Sequence, residues 1–364
     1  MNKRNVILLV VSLLTILTCS WRFKVELQDA ARYLITGNNI SKGLIPEDSI
    51  KWCTLPISYN LDEGGVPDGL MDITHPSICY IADGKFSHNW WIAATPYPQS
   101  LRVSGETYEN TCIFFSDNLK DNPPTDFSAI HKNPIIYKAG ARYNSDPDIF
   151  FDDSDSTLYA FTRKRRGKDY KSNIVIQSSK DGEYWSDPVS IIKTATQSLC
   201  PCVVKGDSCY RMYLYEYNTS IQNPTSTIEI WESSSLKTPD FKHVKSIPWT
   251  LSSYFWHGDV VRYGNKYYMI YCGTNKNYKT RLGTLDEAKY LWVAESEDGY
   301  TFKAYNRPLL KMNGVYRSSF SIVDGMVYCY FSVSNRFRGD KVMYPYGNRI
   351  GMISYPLNKL YALQ

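Results

Sequence analysis

The sequence predicts an all-β chain folded as a five-bladed β-propeller. Three observations carry that expectation. A strand–turn–strand unit recurs five times at spacings of 54 to 71 residues. No helical run is convincing beyond Glu26–Leu34. Aromatics make up 15% of the chain, with 30 tyrosines, and flat rings favour pleated surfaces over helices.

Taken in order, Lys3 and Arg4 precede an apolar run from Val6 to Leu17. A basic start and about a dozen apolar residues read as a secretory signal over residues 1–18, too short to span a membrane. Ile16-Leu17-Thr18-Cys19 resembles a bacterial lipobox, departing from it at Thr18; that resemblance implies Cys19 as a lipidated mature N-terminus and an exported, cell-envelope or secreted protein. Residues 19–70 read as a lead-in, whose segment Lys51–Asn60 is a candidate strand for closing a ring. Residues 71–364 hold the repeats, which begin at His75, Asp146, Cys200, His257 and Ser318. Each combines an apolar strand, a Gly/Asp turn and an aromatic strand. A third strand follows each, and two of these end in the same Ser-x-Asp-Gly pattern, at Ser179–Trp185 and Ser296–Phe302. Asp-Gly makes the tight turn there, and the aromatic packs back on the blade. Repeated units of three or four strands describe propeller blades. A large β-sandwich is the competing architecture.

Composition narrows the function. Hydrophobic residues at 43% against 21% charged exclude a disordered chain. A net charge of +5 without a basic run gives no footprint for nucleic acid. The cysteines after Cys19 are scattered through strand-like runs, so their pairing stays open. Cys200-Pro201-Cys202 is too tight for a zinc or redox motif, and no metal is assigned to it. Phosphate-loop, dinucleotide, zincin and α/β-hydrolase motifs are absent.

In a propeller, the openings of the innermost strands converge on one funnel. Here they read Thr74-His75, Ser145-Asp146, Leu199-Cys200-Pro201, His257-Gly258-Asp259 and Arg317-Ser318-Ser319. All but the third bring ionisable groups against apolar strand, where burial and neighbours shift pKa values. The segment from Ser145 to Phe161, with Asp146-Pro147-Asp148 at its head, resembles the second-blade motif of family-43 glycosidases of the arabinanase/xylosidase type. The resemblance covers about residues 70–356 and implies a five-bladed propeller hydrolysing glycosidic bonds. It implies that Asp146 tunes the catalytic acid and orients the substrate. It also implies an Asp at position 75 and a Glu in the third blade, where this chain has His75 and Leu199-Cys200-Pro201.

Glycoside cleavage needs an acid and a base or nucleophile, typically two carboxylates. Asp146 with Glu109 or Asp259 would supply that pair, with His75, His257 and Arg317 contacting substrate and Trp91 and Trp256 stacking on sugar rings. The expectation is an exported carbohydrate-active propeller, a glycoside hydrolase acting on a polysaccharide or oligosaccharide. It needs no cofactor, a calcium ion in the central channel staying open, and it meets the membrane only through a lipid anchor. The alternatives are a glycan-binding propeller without catalysis and a structural propeller of the cell envelope.

Overall fold

The computed structural model describes residues 43–57, 72–97, 108–136, 143–165, 172–194, 198–217, 226–248, 255–273, 290–312, 314–334 and 348–363. The predicted signal, Cys19 and the Glu26–Leu34 run lie outside them. Five antiparallel sheets surround a central axis. Blade 1 comprises Ile73–Tyr80, Trp90–Pro96, Cys112–Ser116 and Ser128–Ala129. Blade 2 comprises Tyr143–Asp152, Thr157–Arg165, Ser172–Ser179 and Val189–Lys193. Blade 3 comprises Ser198–Lys205, Tyr210–Tyr217, Ser226–Ser233 and Lys242–Pro248. Blade 4 comprises Phe255–Tyr263, Lys266–Gly273, Tyr290–Ser296 and the short Lys303–Ala304, with Leu310–Lys311 also pairing its third strand.

Blade 5 is built from both ends of the chain. Val315–Val323, Met326–Ser334 and Asn348–Pro356 come last in sequence, and their outer partner is Lys51–Trp52 from the lead-in. Lys51 pairs with Met352 and Trp52 with Gly351. The segment then crosses to blade 1, where Thr54 bridges Asp126. The ring is therefore closed by hydrogen bonds between the two ends of the described chain, and the β-sandwich alternative falls away.

Period-2 alternation puts consecutive residues of a middle strand into opposite seams. Trp90 packs with Tyr330 and Met352 of blade 5, whereas Trp91 packs with Ile149 and Leu158 of blade 2. Five apolar clusters fill the five seams. Most second-strand tyrosines are packing residues here: Tyr159, Tyr213, Tyr215, Tyr267, Tyr268, Tyr328 and Tyr330 are all buried. The Ser-x-Asp-Gly turns latch neighbouring blades. Ser179 Oγ accepts from the Gly182 N–H at 2.8 Å, and Gly182, at φ +84°, sits on the Trp91 ring of blade 1. Ser296 and Gly299 repeat the arrangement against Arg211 and Tyr213 of blade 3.

A second closure runs along the axis. The innermost strands carry Ser77, Asp148, Cys202, Asp259 and Ser319 at equivalent positions, and each side chain accepts a backbone N–H from the next blade. Ser77 Oγ takes Ile149 N–H at 3.0 Å, Asp148 Oδ2 takes Val203 N–H at 2.8 Å, and Cys202 Sγ takes Val260 N–H at 3.0 Å. Asp259 Oδ2 takes Phe320 N–H at 3.0 Å, and Ser319 Oγ returns to Ile78 N–H at 2.9 Å. These inner edges would otherwise leave buried donors unsatisfied. Below this ring the channel widens into a cavity of about 460 Å³ lined by Asp148, Asp259, Lys205 and Arg262 among others.

Candidate functional site

Two residues before each member of that ring, a second layer of five side chains occupies the axis: His75, Asp146, Cys200, His257 and Arg317. The local backbone explains how they get there. All five innermost strands break register at this point, between Thr74 and Ser77, Ser145 and Asp148, Leu199 and Cys202, Phe255 and His257, and Val315 and Ser318. A bulge re-aims a side chain, here inward. His75, Asp146 and Cys200 adopt φ of 55°, 51° and 47°, and each precedes a proline. Left-handed backbone at non-glycine residues costs roughly 1–3 kcal/mol each and persists where the surroundings impose it, commonly at functional sites. The repeat starts found in the sequence mark these bulges, two or three residues inside the strands.

His75 Nε2 lies 3.3 Å from Asp146 Oδ1. One ligand atom each from His75, Asp146 and His257 falls within 4.8 Å of the others. Both imidazoles are held from outside through Nδ1: His75 by the Thr95 hydroxyl at 2.7 Å, and His257 by the Cys200 thiol. Arg163 Nε approaches Asp146 Oδ2 at 2.8 Å, and Arg317 Nη1 stands 3.8 Å from Oδ1. Arg317 Nη2 donates to the Pro147 carbonyl at 2.6 Å. Tyr316 covers the pair of histidines, its ring centroid 5.3 Å from that of His75 and 4.7 Å from that of His257. Tyr316 is half-buried, while the residues beneath it are almost fully enclosed.

The protonation states follow from this enclosure. Burial lowers the His75 pKa to about 3 and holds His257 well below the usual imidazole range, so both are neutral at pH 7. Burial works against the charge on Asp146, but the Arg163 guanidinium, with that of Arg317, holds its carboxyl well below the carboxylate range. Burial keeps Cys200 a thiol, far from the thiolate a nucleophile requires. Two neutral imidazoles and one carboxylate form the donor state that a divalent cation takes. The set fits such an ion: His75 Nε2 and both Asp146 oxygens are buried and accept no hydrogen bond among the described residues, Asp146 being held by ion pairs alone. The sequence reading assigned no metal, because these ligands lie 71 and 111 residues apart and only the propeller axis joins them.

The other candidates fall elsewhere. Asp259 sits one layer below, its carboxylate engaged by Cys202, Phe320 and the Val260 N–H. Glu109 is buried at the entry to blade 2, where its carbonyl accepts from Asn144 N–H at 2.8 Å and its carboxylate lies within electrostatic reach of Arg163. Trp91 is fully buried in the seam beneath Gly182 and has no face for a sugar; its Nε1 donates to the His88 carbonyl at 3.0 Å. The Trp256 side chain is outside the described residues. Arg317 is enclosed within the same layer as the histidines rather than reaching into an open funnel. Sequence reasoning missed Thr95 and Arg163, which close the hairpins opposite Thr74 and Ser145. Counting back from the hairpin turns would have found them.

A scan against protein-family models and a search of curated proteins return no match. Solved structures do match. An N-acetylgalactosamine deacetylase from F. plautii, in complex with blood group B trisaccharide, superposes with a TM-score of 0.65 at 16% identity, over 86% of this chain and 96% of that one. A thermostable family-43 glycoside hydrolase gives 0.54 at 14% identity, over 78% and 89%. Zg3597, a family-117 glycoside hydrolase of Zobellia galactanivorans, gives 0.56 at 9% identity, over 85% and 91%. The chain has the five-bladed propeller fold that these enzymes share.

Proposed function

We propose that this chain is a carbohydrate-active hydrolase whose reaction centre is the His75–Asp146–His257 group loaded with a divalent cation, and that it removes an N-acyl group from an amino sugar of a glycan. The observation that carries the reading is the donor set itself: two neutral imidazoles and one ionised carboxylate, enclosed on the propeller axis. The fold shared with a deacetylase of N-acetylgalactosamine supports the substrate class. A bound divalent cation supplies Lewis acidity toward an amide carbonyl and toward water. The chain's own residues hold the donors in place: Arg163 and Arg317 keep Asp146 ionised, while Thr95 and Cys200 pin the two rings. Tyr316, the most open of these groups, gives the glycan its approach.

Glycoside hydrolysis is the second reading. It is favoured by the Asp146-Pro147-Asp148 motif, by Glu109 near Arg163, and by the family-43 and family-117 neighbours. Purified protein incubated with N-acetylated oligosaccharides, arabinan and xylan separates the two through assays for free acetate and for new reducing ends. Acetate release that EDTA abolishes, that Zn²⁺ or Mn²⁺ restores, and that Asp146→Asn lacks would support deacylation. New reducing ends lost in Glu109→Gln and indifferent to EDTA would replace it with glycoside hydrolysis. Glycan binding without either product would leave a recognition propeller. We also propose export through residues 1–18 with lipid attachment at Cys19; mass spectrometry of the mature N-terminus tests it, an unmodified Met1 terminus refuting it.

A further inference from the structure

Both histidines of the centre are held in the same way, although their partners come from different blades and differ in chemistry. Thr95 stands at the end of blade 1's second strand, directly across from Thr74, so the hairpin returns its hydroxyl to the His75 ring next to the bulge. Cys200 comes from blade 3, at the bulge position equivalent to His75 and Asp146, and its thiol meets the His257 ring of blade 4. Each contact is made at Nδ1. Thr95 and Cys200 are both fully buried, so neither meets solvent or substrate directly.

We propose that Thr95 and Cys200 are paired positioning residues that accept the Nδ1–H of His75 and His257 and so leave the Nε2 lone pair of each ring to a cation held beside Asp146. The inference rests on the cation-binding reading above and extends it by naming what fixes the tautomers. A neutral imidazole carries one proton, and the nitrogen opposite its hydrogen-bond acceptor is the one that serves as a ligand. Partners of this kind set ring orientation and ligand basicity. They also account for the thiol in the axial layer, which lies against the ring of His257. A charged residue at position 200 would add an ion to a centre that already holds Asp146, Arg163 and Arg317. A thiol can face an imidazole there without doing so. The left-handed backbone at Cys200 brings that thiol inward.

Nitrogen-15 NMR of the histidines in metal-free protein reads the tautomers without reference to activity. The expected result is Nδ1–H, with unprotonated Nε2, for both His75 and His257. Thr95→Val should remove the single-tautomer signature of His75 alone, and Cys200→Ala that of His257 alone. Thr95→Ser, which keeps the hydroxyl, and Cys200→Ser, which puts a hydroxyl in place of the thiol, should restore them. Competition with a chromogenic chelator for Zn²⁺ supplies the second readout. Loss of either partner should weaken binding by roughly 10–100-fold, with the Ser variants within a few-fold of the parent. Thermal unfolding of each variant distinguishes misfolding from mispositioning. Nε2–H on either ring in the parent protein overturns the proposal. So does Zn²⁺ affinity unchanged in both folded Val and Ala variants. If the parent protein binds no divalent cation, the cation reading fails while the nitrogen shifts still decide the tautomers.

Discussion

Placing a methyl group on Gly182 tests whether the blades are latched as the structure shows. A Cβ at this position would stand 2.0 Å from Cη2, 2.6 Å from Cζ2 and 2.7 Å from Cζ3 of Trp91, and the backbone φ is +84°. Trp91 has no room to retreat. It is fully buried, its Nε1 is bonded to His88, and Phe86 lies 5.7 Å away edge-on. Gly264 is the matched control, with φ +60° and no atom within 4 Å of its added Cβ. Left-handed backbone costs a non-glycine residue about 1–2 kcal/mol. Stiffening the unfolded chain offsets about 0.4–1 kcal/mol of this. Gly264→Ala should therefore destabilise by about 1 kcal/mol. Gly182→Ala adds overpacking of a closed core, about 1–3 kcal/mol more, for a total of about 2–4 kcal/mol. Equilibrium urea unfolding followed by tryptophan fluorescence measures both, and near-ultraviolet circular dichroism reports whether the Trp91 environment changes. Equal losses in the two variants, within about 0.5 kcal/mol, would refute the claim that the Ser179–Trp185 turn bears on blade 1.

Other outcomes follow from the axis. Burial, and then the Asp259 carboxylate beside it, pushes Asp148 up to about 8 from an ordinary 3.8. The folded chain thus keeps a proton that the unfolded chain releases between those values, so this group's contribution makes stability fall as pH rises through the window. Asp148→Asn keeps an acceptor for Val203 N–H and should flatten that fall, as read from urea midpoints at about pH 5, 7 and 9; an unchanged slope would count against it. Ser319→Ala strands the Ile78 N–H inside the ring and should cost about 1–3 kcal/mol. Cys202→Ser, which retains an acceptor, should cost less in the same unfolding experiment. Deleting residues 43–57 removes the outer strand of blade 5, and the expected result is a lower thermal midpoint with aggregation through the bared Asn348–Pro356 edge; an unchanged monomer would show that the closure is dispensable.

The blades were legible because each unit repeats its own hydrophobic alternation and turn chemistry, and the Ser-x-Asp-Gly turns announced where third strands end. The segment Lys51–Asn60 was legible as a strand that could close the ring, but not its short extent, Lys51–Trp52, or its register against Met352 and Gly351, since nothing local encodes either. Four members of the axial layer, His75, Asp146, His257 and Arg317, could be read from polar openings of apolar strands. Cys200 could not, because an uncharged thiol in an apolar run looks like packing until His257 appears beside it. The depth separating Asp259 from His257 was also hidden: alternation gives a shared face, but the bulge decides which layer each residue joins.

The axial ring also bears on where the polypeptide needs its ends. Every inter-blade link from Ser77 round to Ser319 runs in the same rotational sense, each side chain receiving from the blade that follows it, and the fifth link returns to the first. A closed cycle has no privileged starting point. A circular permutant, its old termini joined by a linker and new ones cut in the turn between Tyr263 and Lys266, would preserve all five links and move the seam from blade 5 to blade 4. In this geometry the wheel itself is indifferent to where the polypeptide begins.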